Sequence, residues 1–123
     1  MNQCIFCDPP KQNILFEQEF WRVVFDRYPV SKGHALIISK RHAKTYFDLT
    51  KEEKESLTLV LDETKEMLDK EFHPDGYNIG VNCNEASGQT IPHCHIHVIP
   101  RYNGDVEDPR GGVRGVIPNM QKY

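Results

Sequence analysis

Within residues 89–101, Gln-Thr-Ile-Pro-His-Cys-His-Ile-His-Val-Ile-Pro-Arg, polar and apolar side chains alternate with a period of two from His93 to Val98. In a strand, successive side chains point to opposite faces, so His93, His95 and His97 share one face and Cys94, Ile96 and Val98 the other. A helix would scatter the three imidazoles around its circumference. The stretch is therefore expected to be a short strand with an imidazole face and a core face, punctuated at its ends by Pro92 and Pro100. Half of the chain's six histidines lie here, and only the strand brings them to one place.

The surrounding patterns point to a small α+β unit. Residues 13–19 and 20–26 read as a hairpin with apolar residues on both faces, and 34–39 as an apolar strand entered through Gly33. Residues 48–72 form the one long helix. It is announced by the Thr50-Lys51-Glu52-Glu53 capping box and carries a stripe of Leu57, Val60, Leu61, Thr64, Leu68 and Phe72. Pro74 and Gly76 end it, the glycine supplying a left-handed position, and His73 is read as a surface residue. Residues 77–82 make a further strand. The expected fold is an antiparallel sheet of about five strands with this helix on one face and a short N-terminal helical turn. All 123 residues fit one domain, with 102–123 as an extended Gly- and Arg-containing tail.

Composition narrows the function. A net charge of −3 gives no basic field for a polymeric nucleic acid. No apolar run approaches the ~20 residues of a membrane span, and the N-terminus lacks a signal peptide, so a cytoplasmic, membrane-free protein is expected. In a reducing compartment the four cysteines are thiols or metal ligands. Cys4 and Cys7 form a Cys-x-x-Cys turn, which is half of a tetrahedral site or a pair of idle or redox thiols. Cys83 and Cys94 read as small core residues. Arg110 and Arg114, around a Gly-Gly pair, either clamp phosphate or pair with neighbouring acids.

His-Cys-His-Ile-His-Val-Ile, with Gly88-Gln89-Thr90 before it and Pro100-Arg101 after, resembles the signature of the histidine triad superfamily, and the likeness extends over most of the chain. The resemblance implies a two-fold dimer whose sheets continue across subunits. It also implies a structural zinc, since one bacterial branch has a similar Cys-x-x-Cys closed by two later histidines, here Cys4, Cys7, His42 and His93. In zinc-free branches the first triad histidine instead supports its neighbour. Asp26 is either a turn-initiating residue or a ligand for a ribose diol, and family position favours the ribose. His34 follows the strand-entry glycine as in the family and is assigned a supporting place in the site. The small polar loop 83–88 is either an ordinary surface turn or the edge of a phosphate pocket; its place before the histidine strand and the resemblance favour the pocket, with Asn82, Gln89 and Thr90 as hydrogen-bonding candidates.

An imidazole can attack phosphorus and split hydrolysis into two steps through a phosphoramidate intermediate. His95, centred in the triad, is the expected nucleophile, with His97, His34 and Gln89 as the other catalytic candidates and His97 also counted among the substrate contacts. Glutamine occupies the third triad position in the transferase branch, so His97 favours hydrolysis. The implied substrate is a purine nucleotide joined to a leaving group, such as a dinucleoside polyphosphate or a nucleoside phosphoramidate, with no organic cofactor. Two rivals stand beside this reading: a metalloenzyme holding a catalytic ion on His93, His95 and His97, and a zinc-stabilised nucleotide-binding or interaction module with little catalysis.

Overall fold

The computed structural model describes residues 4–123. Five strands, β1 (Ile14–Glu17), β2 (Trp21–Phe25), β3 (Ala35–Ser39), β4 (Gly76–Gly80) and β5 (His95–Arg101), form one antiparallel sheet in the order β1-β2-β3-β5-β4. A single α-helix, α1 (Lys51–Phe72), crosses one face. A 3-10 turn at Lys11–Asn13 is the short N-terminal helix expected. The α+β architecture read from the pattern is the one present.

The alternation of β5 decides which face does what. Cys94, Ile96 and Val98 are buried in the main core with Trp21, Val23, Ala35 and Ile37. Val60 and Leu68 of α1 close that core, with Leu57, Leu61 and Phe72 packed at its edge. On the opposite face Val24, Leu36 and Ile38 form a smaller cluster with Phe6. β3, buried at every position, lies at the centre of the sheet and places the site strand beside it.

The capping box forms as its spacing predicts. The Thr50 hydroxyl accepts from Glu53 N–H at 3.1 Å, and the Glu53 carboxylate accepts from Thr50 N–H at 2.7 Å. Glu53 is 2% exposed and is held further by Arg41, whose Nη2 lies 2.9 Å from Oε1. Its carboxyl is depressed although burial, the largest single influence, works the other way, because the Arg41 and Thr50 hydrogen bonds outweigh that burial. Thr50→Ala is expected to lower stability by about 1 kcal/mol, as loss of a helix N-cap does, read as a shift in urea midpoint with unchanged slope.

Local expectations differ from the structure at four places. The left-handed residue that ends α1 is His73 itself (φ 51°), while Gly76 opens β4 and has no positive φ. Pro100 does not end β5 but sits inside it, opposite Tyr77. Its carbonyl accepts from the Ser31 hydroxyl at 2.7 Å, on the side where β3 pairing has already stopped at Ala35–Val98, so its missing N–H costs the ladder nothing. Cys83 is half-buried rather than core. The tail is not extended throughout: Gly112–Val116 and Pro118–Met120 are 3-10 turns, the first of them lying against β4. Among the described residues no helix is long and apolar enough to cross a membrane.

Candidate active site and metal centre

Four hydrogen bonds assign the protons on four histidines. A carbonyl oxygen can only accept, so His93 donates from Nε2 to Ser39 O (2.6 Å) and His95 donates from Nδ1 to His93 O (2.8 Å). His93 is left with a lone pair on Nδ1, and His95 with a lone pair on Nε2. Val30 N–H donates to His34 Nδ1 at 3.1 Å, so the neutral His34 ring carries its proton on Nε2. That proton points to His97 Nδ1 at 3.0 Å, which fixes the His97 proton on Nε2. One backbone amide therefore sets the state of two rings.

The lone pair of His93 faces the Cys-x-x-Cys turn. Its Nδ1 lies 3.2 Å from Cys4 Sγ, 3.5 Å from Cys7 Sγ and 3.1 Å from His42 Nδ1, and His42 Nδ1 lies 3.2 Å from Cys7 Sγ. A tetrahedral zinc with ordinary bond lengths separates two nitrogens by about 3.3 Å and nitrogen from sulfur by about 3.6 Å. The four residues fit that ion in donor type, number and spacing. The Nε2–H donated to Ser39 O is the outer hydrogen bond that orients a ligating imidazole. Burial, and then the neighbouring Cys4, raise the Cys7 thiol, a penalty that a cation between the two sulfurs would remove.

Asp26, His34 and His97 make a second close group of three metal-capable residues, and its wiring gives the opposite answer. His34 Nε2 could ligate only if its proton moved to Nδ1, where it would meet the Val30 N–H. His34 and His97 are hydrogen-bonded to one another instead, with Asp26 alongside. Asp26 Oδ2 stands 3.4 Å from His34 Nε2 and 4.0 Å from His97 Nδ1, while Oδ1 accepts from Tyr28 N–H at 2.8 Å. Burial lowers His34 despite Asp26. Burial first, then His95 and His34, push His97 down to about 4. Both rings are neutral at pH 7, and the contact with Asp26 is not an ion pair.

A pH dependence of stability follows. The unfolded chain takes up a proton on this histidine near pH 6.5 and the folded chain only near 4. The unfolded state thus binds more protons across that window, so the stabilising contribution is complete above about pH 6.5 and is lost as pH falls toward about 4. Urea midpoints are expected to drop between pH 7 and pH 5, by less in His97→Gln than in the unsubstituted chain.

His95 is 8% exposed and is held on two sides, by His97 (ring centroids 5.2 Å apart) and by Phe6 (4.9 Å, edge-on). Phe6 lies between Cys4 and Cys7 and also meets His93 edge-on. Sequence reasoning passed over Phe6; its place inside the Cys-x-x-Cys turn was the available signal. Among the described residues, the side-chain groups close enough to share an ion are Cys4, Cys7, His42 and His93, and Asp26, His34 and His97; neither joins two triad histidines.

The loop residues are placed less directly. Gln89 is buried and its amide is engaged, Oε1 accepting from Asn84 N–H (2.7 Å) and Nε2 donating to Lys44 O (2.6 Å) and Ile91 O (3.1 Å). Asn82 is half-buried and Thr90 exposed. Among the described residues neither is hydrogen-bonded to a triad histidine. Arg110 lies 3.8 Å from Asp108, one of the neighbouring acids expected, whereas Arg114 takes neither sequence alternative and is bonded to Met120 O and Gln121 O and set over the Tyr123 ring.

The HIT domain profile matches residues 10–104. The chain belongs to the histidine triad (HIT) family. Among similar proteins is the adenosine 5'-monophosphoramidase hnt1 of Schizosaccharomyces pombe, 36% identical over 104 residues, covering 81% of this chain and 75% of that protein. The bis(5'-adenosyl)-triphosphatase of Dictyostelium discoideum is 34% identical, covering 80% and 66%. A Zn-bound histidine triad family protein from Mycobacterium smegmatis has the same fold, with a TM-score of 0.76, 32% identity, and coverage of 85% of this chain and 79% of that one. HIT relatives thus include nucleotide hydrolases, and a zinc-bearing relative shares the architecture.

Proposed function

We propose that this HIT protein hydrolyses the α-phosphate bond of a purine nucleotide joined to a leaving group, through a nucleotidyl intermediate on His95. The observation that carries the reading is the His95 Nδ1 hydrogen bond to His93 O, which in the neutral ring places the proton on Nδ1 and the lone pair on Nε2. The names of the phosphoramidase and triphosphatase relatives supply the two substrate types.

In the first step the Nε2 lone pair attacks the α-phosphorus, a P–N bond forms, and the bond to the leaving group breaks with its electron pair. The leaving atom takes a proton from solvent as it departs, offset by the proton that water releases to solvent in the second step. In the second step water attacks the same phosphorus and loses a proton, the P–N bond breaks, and His95 regains its lone pair. His97, with its proton held on Nε2 by His34, donates a hydrogen bond to the charge that develops on the phosphoryl oxygens. Asp26 takes the ribose hydroxyls. Asn82 and Thr90 contact phosphate, and Gln89 serves the site by bracing the loop that presents them.

Cys4, Cys7, His42 and His93 would hold one zinc in a closed Cys2His2 set, which supplies structure rather than chemistry. Residues 1–123 act as one unit, since the segment beyond the HIT match folds against β4. β4 is an edge strand, a position that suits continuation of the sheet across a two-fold dimer. A reducing, cytoplasmic setting accords with the four free thiols. The test is a single-turnover reaction with an α-labelled adenosine phosphoramidate under a quench that preserves P–N bonds. Transient label on the protein is the expected result; product formation with no labelled protein at any time would exclude the covalent route.

A further inference from the structure

The imidazole face also carries an apolar cluster. Val24, Leu36 and Ile38 are buried there with Phe6, apart from the main core. The register sets them among the histidines: Ile38 is the partner of His95 and Leu36 the partner of His97, with Val24 opposite Leu36 on the next strand. Cross-strand partners share a face, so the cluster and the triad lie side by side. α1 closes the main core on the opposite face, and this second cluster serves instead as the seat of Phe6.

The Cys-x-x-Cys turn delivers the ring to that seat. Ile5 is 62% exposed and Phe6 only 9%, so the turn sends one side chain outward and the other in. Cys7 N–H donates to Cys4 O at 3.2 Å and closes the turn, and Arg22 Nη1 donates to Cys7 O at 3.3 Å and ties it to β2. From there the Phe6 ring meets His95 with centroids 4.9 Å apart and planes at 65°, and His93 at 6.2 Å and 87°. Both are the edge-on arrangement that aromatic pairs prefer. On its other flank His95 meets His97 at 5.2 Å and 62°.

The hydrogen bond from His95 Nδ1 to His93 O, at 2.8 Å, holds one corner of the imidazole. A bond at one corner sets the proton but lets the ring pivot about it, and a pivot swings Nε2 off the line of attack. A misplacement of about 1 Å in a reacting atom costs on the order of a hundredfold in rate. Rings on both flanks block the pivot. His97 is itself hydrogen-bonded to His34, whereas Phe6 has no proton to give or take, so what Phe6 supplies to His95 is shape alone. We propose that Phe6 is a positioning residue that holds the His95 imidazole in its attacking orientation. The proposal rests on the hydrolase reading above and adds to it the residue that keeps the nucleophile aligned.

Phe6→Leu keeps an apolar side chain in the seat and removes the ring. Its kcat on adenosine phosphoramidate is expected to fall at least about tenfold, with AMP affinity and zinc content close to those of the wild-type chain. Long-range proton–nitrogen correlation spectra at alkaline pH give a second readout. They are expected to show His95 protonated on Nδ1 alone in the wild-type chain, and the two nitrogen shifts drawn together in Phe6→Leu as the loosened ring exchanges tautomers. An unchanged kcat overturns the proposal, and so does a lowered kcat with wild-type nitrogen shifts. Weakened AMP affinity with kcat kept at saturation would make Phe6 a ligand contact and overturn it as well. Should Phe6→Leu not fold, Phe6→Met takes its place with the same expectations, and a wild-type His95 that shows both tautomers overturns the proposal without any variant. Failure of the wild-type chain to cleave the phosphoramidate would instead remove the hydrolase reading, while the nitrogen shifts would still report whether Phe6 holds the ring.

Discussion

His95→Ala is expected to lower kcat on a nucleotide conjugate by at least about a thousandfold, the scale seen when a covalent nucleophile is removed. Affinity for AMP should stay within a few fold, because the ribose and phosphate contacts assigned to Asp26, Asn82 and Thr90 are untouched. Little should change in the fold, since the His95 ring lies against Phe6 and His97 on the face away from the main core. Steady-state kinetics with calorimetric titration of AMP separate the possibilities. Normal turnover would remove the nucleophile assignment, and absent turnover in both proteins with AMP still bound would favour a binding module.

Cys4→Ser and Cys7→Ser are expected to abolish stoichiometric zinc and to reduce stability by roughly 2–5 kcal/mol, because a ligand bound only by the folded state stabilises it by mass action. For a chain of this length that corresponds to a fall in Tm of about 10 °C or more. Metal content by mass spectrometry and Tm by calorimetry, before and after chelation, check it. His42→Ala provides the comparison, since this residue is exposed and contributes to the four-residue set without packing in the core. A chelator that leaves Tm unchanged would refute a structural metal.

What could be read from the chain was whatever depends on near neighbours. Thr50 and Glu53 are three residues apart and cap α1 as their spacing requires. The period of two in β5 separates Cys94, Ile96 and Val98 from the histidines, and the core follows it. The wiring of the site is different in kind. His34 and His97 are 63 residues apart and meet because β3 pairs with β5, and the Val30 amide that sets both protons carries no side-chain signal at all. The tail was illegible because its order comes from side chains bonding to backbone, as Arg114 and Tyr102 do, which leaves no periodicity in the sequence. The helix stop was misplaced by three residues because the glycine rule looks for the residue that adopts positive φ most easily, and His73 adopts it before a proline that already forbids another helical turn.

His93 serves two neighbours through two different parts of itself. Its ring meets Cys4, Cys7 and His42, whereas the oxygen that orients His95 belongs to its backbone. Any amino acid at position 93 would present that oxygen if the strand kept its course. Substitution of the side chain at 93 would accordingly remove one member of the Cys4, Cys7, His42 and His93 group while leaving the carbonyl that receives the His95 proton in place.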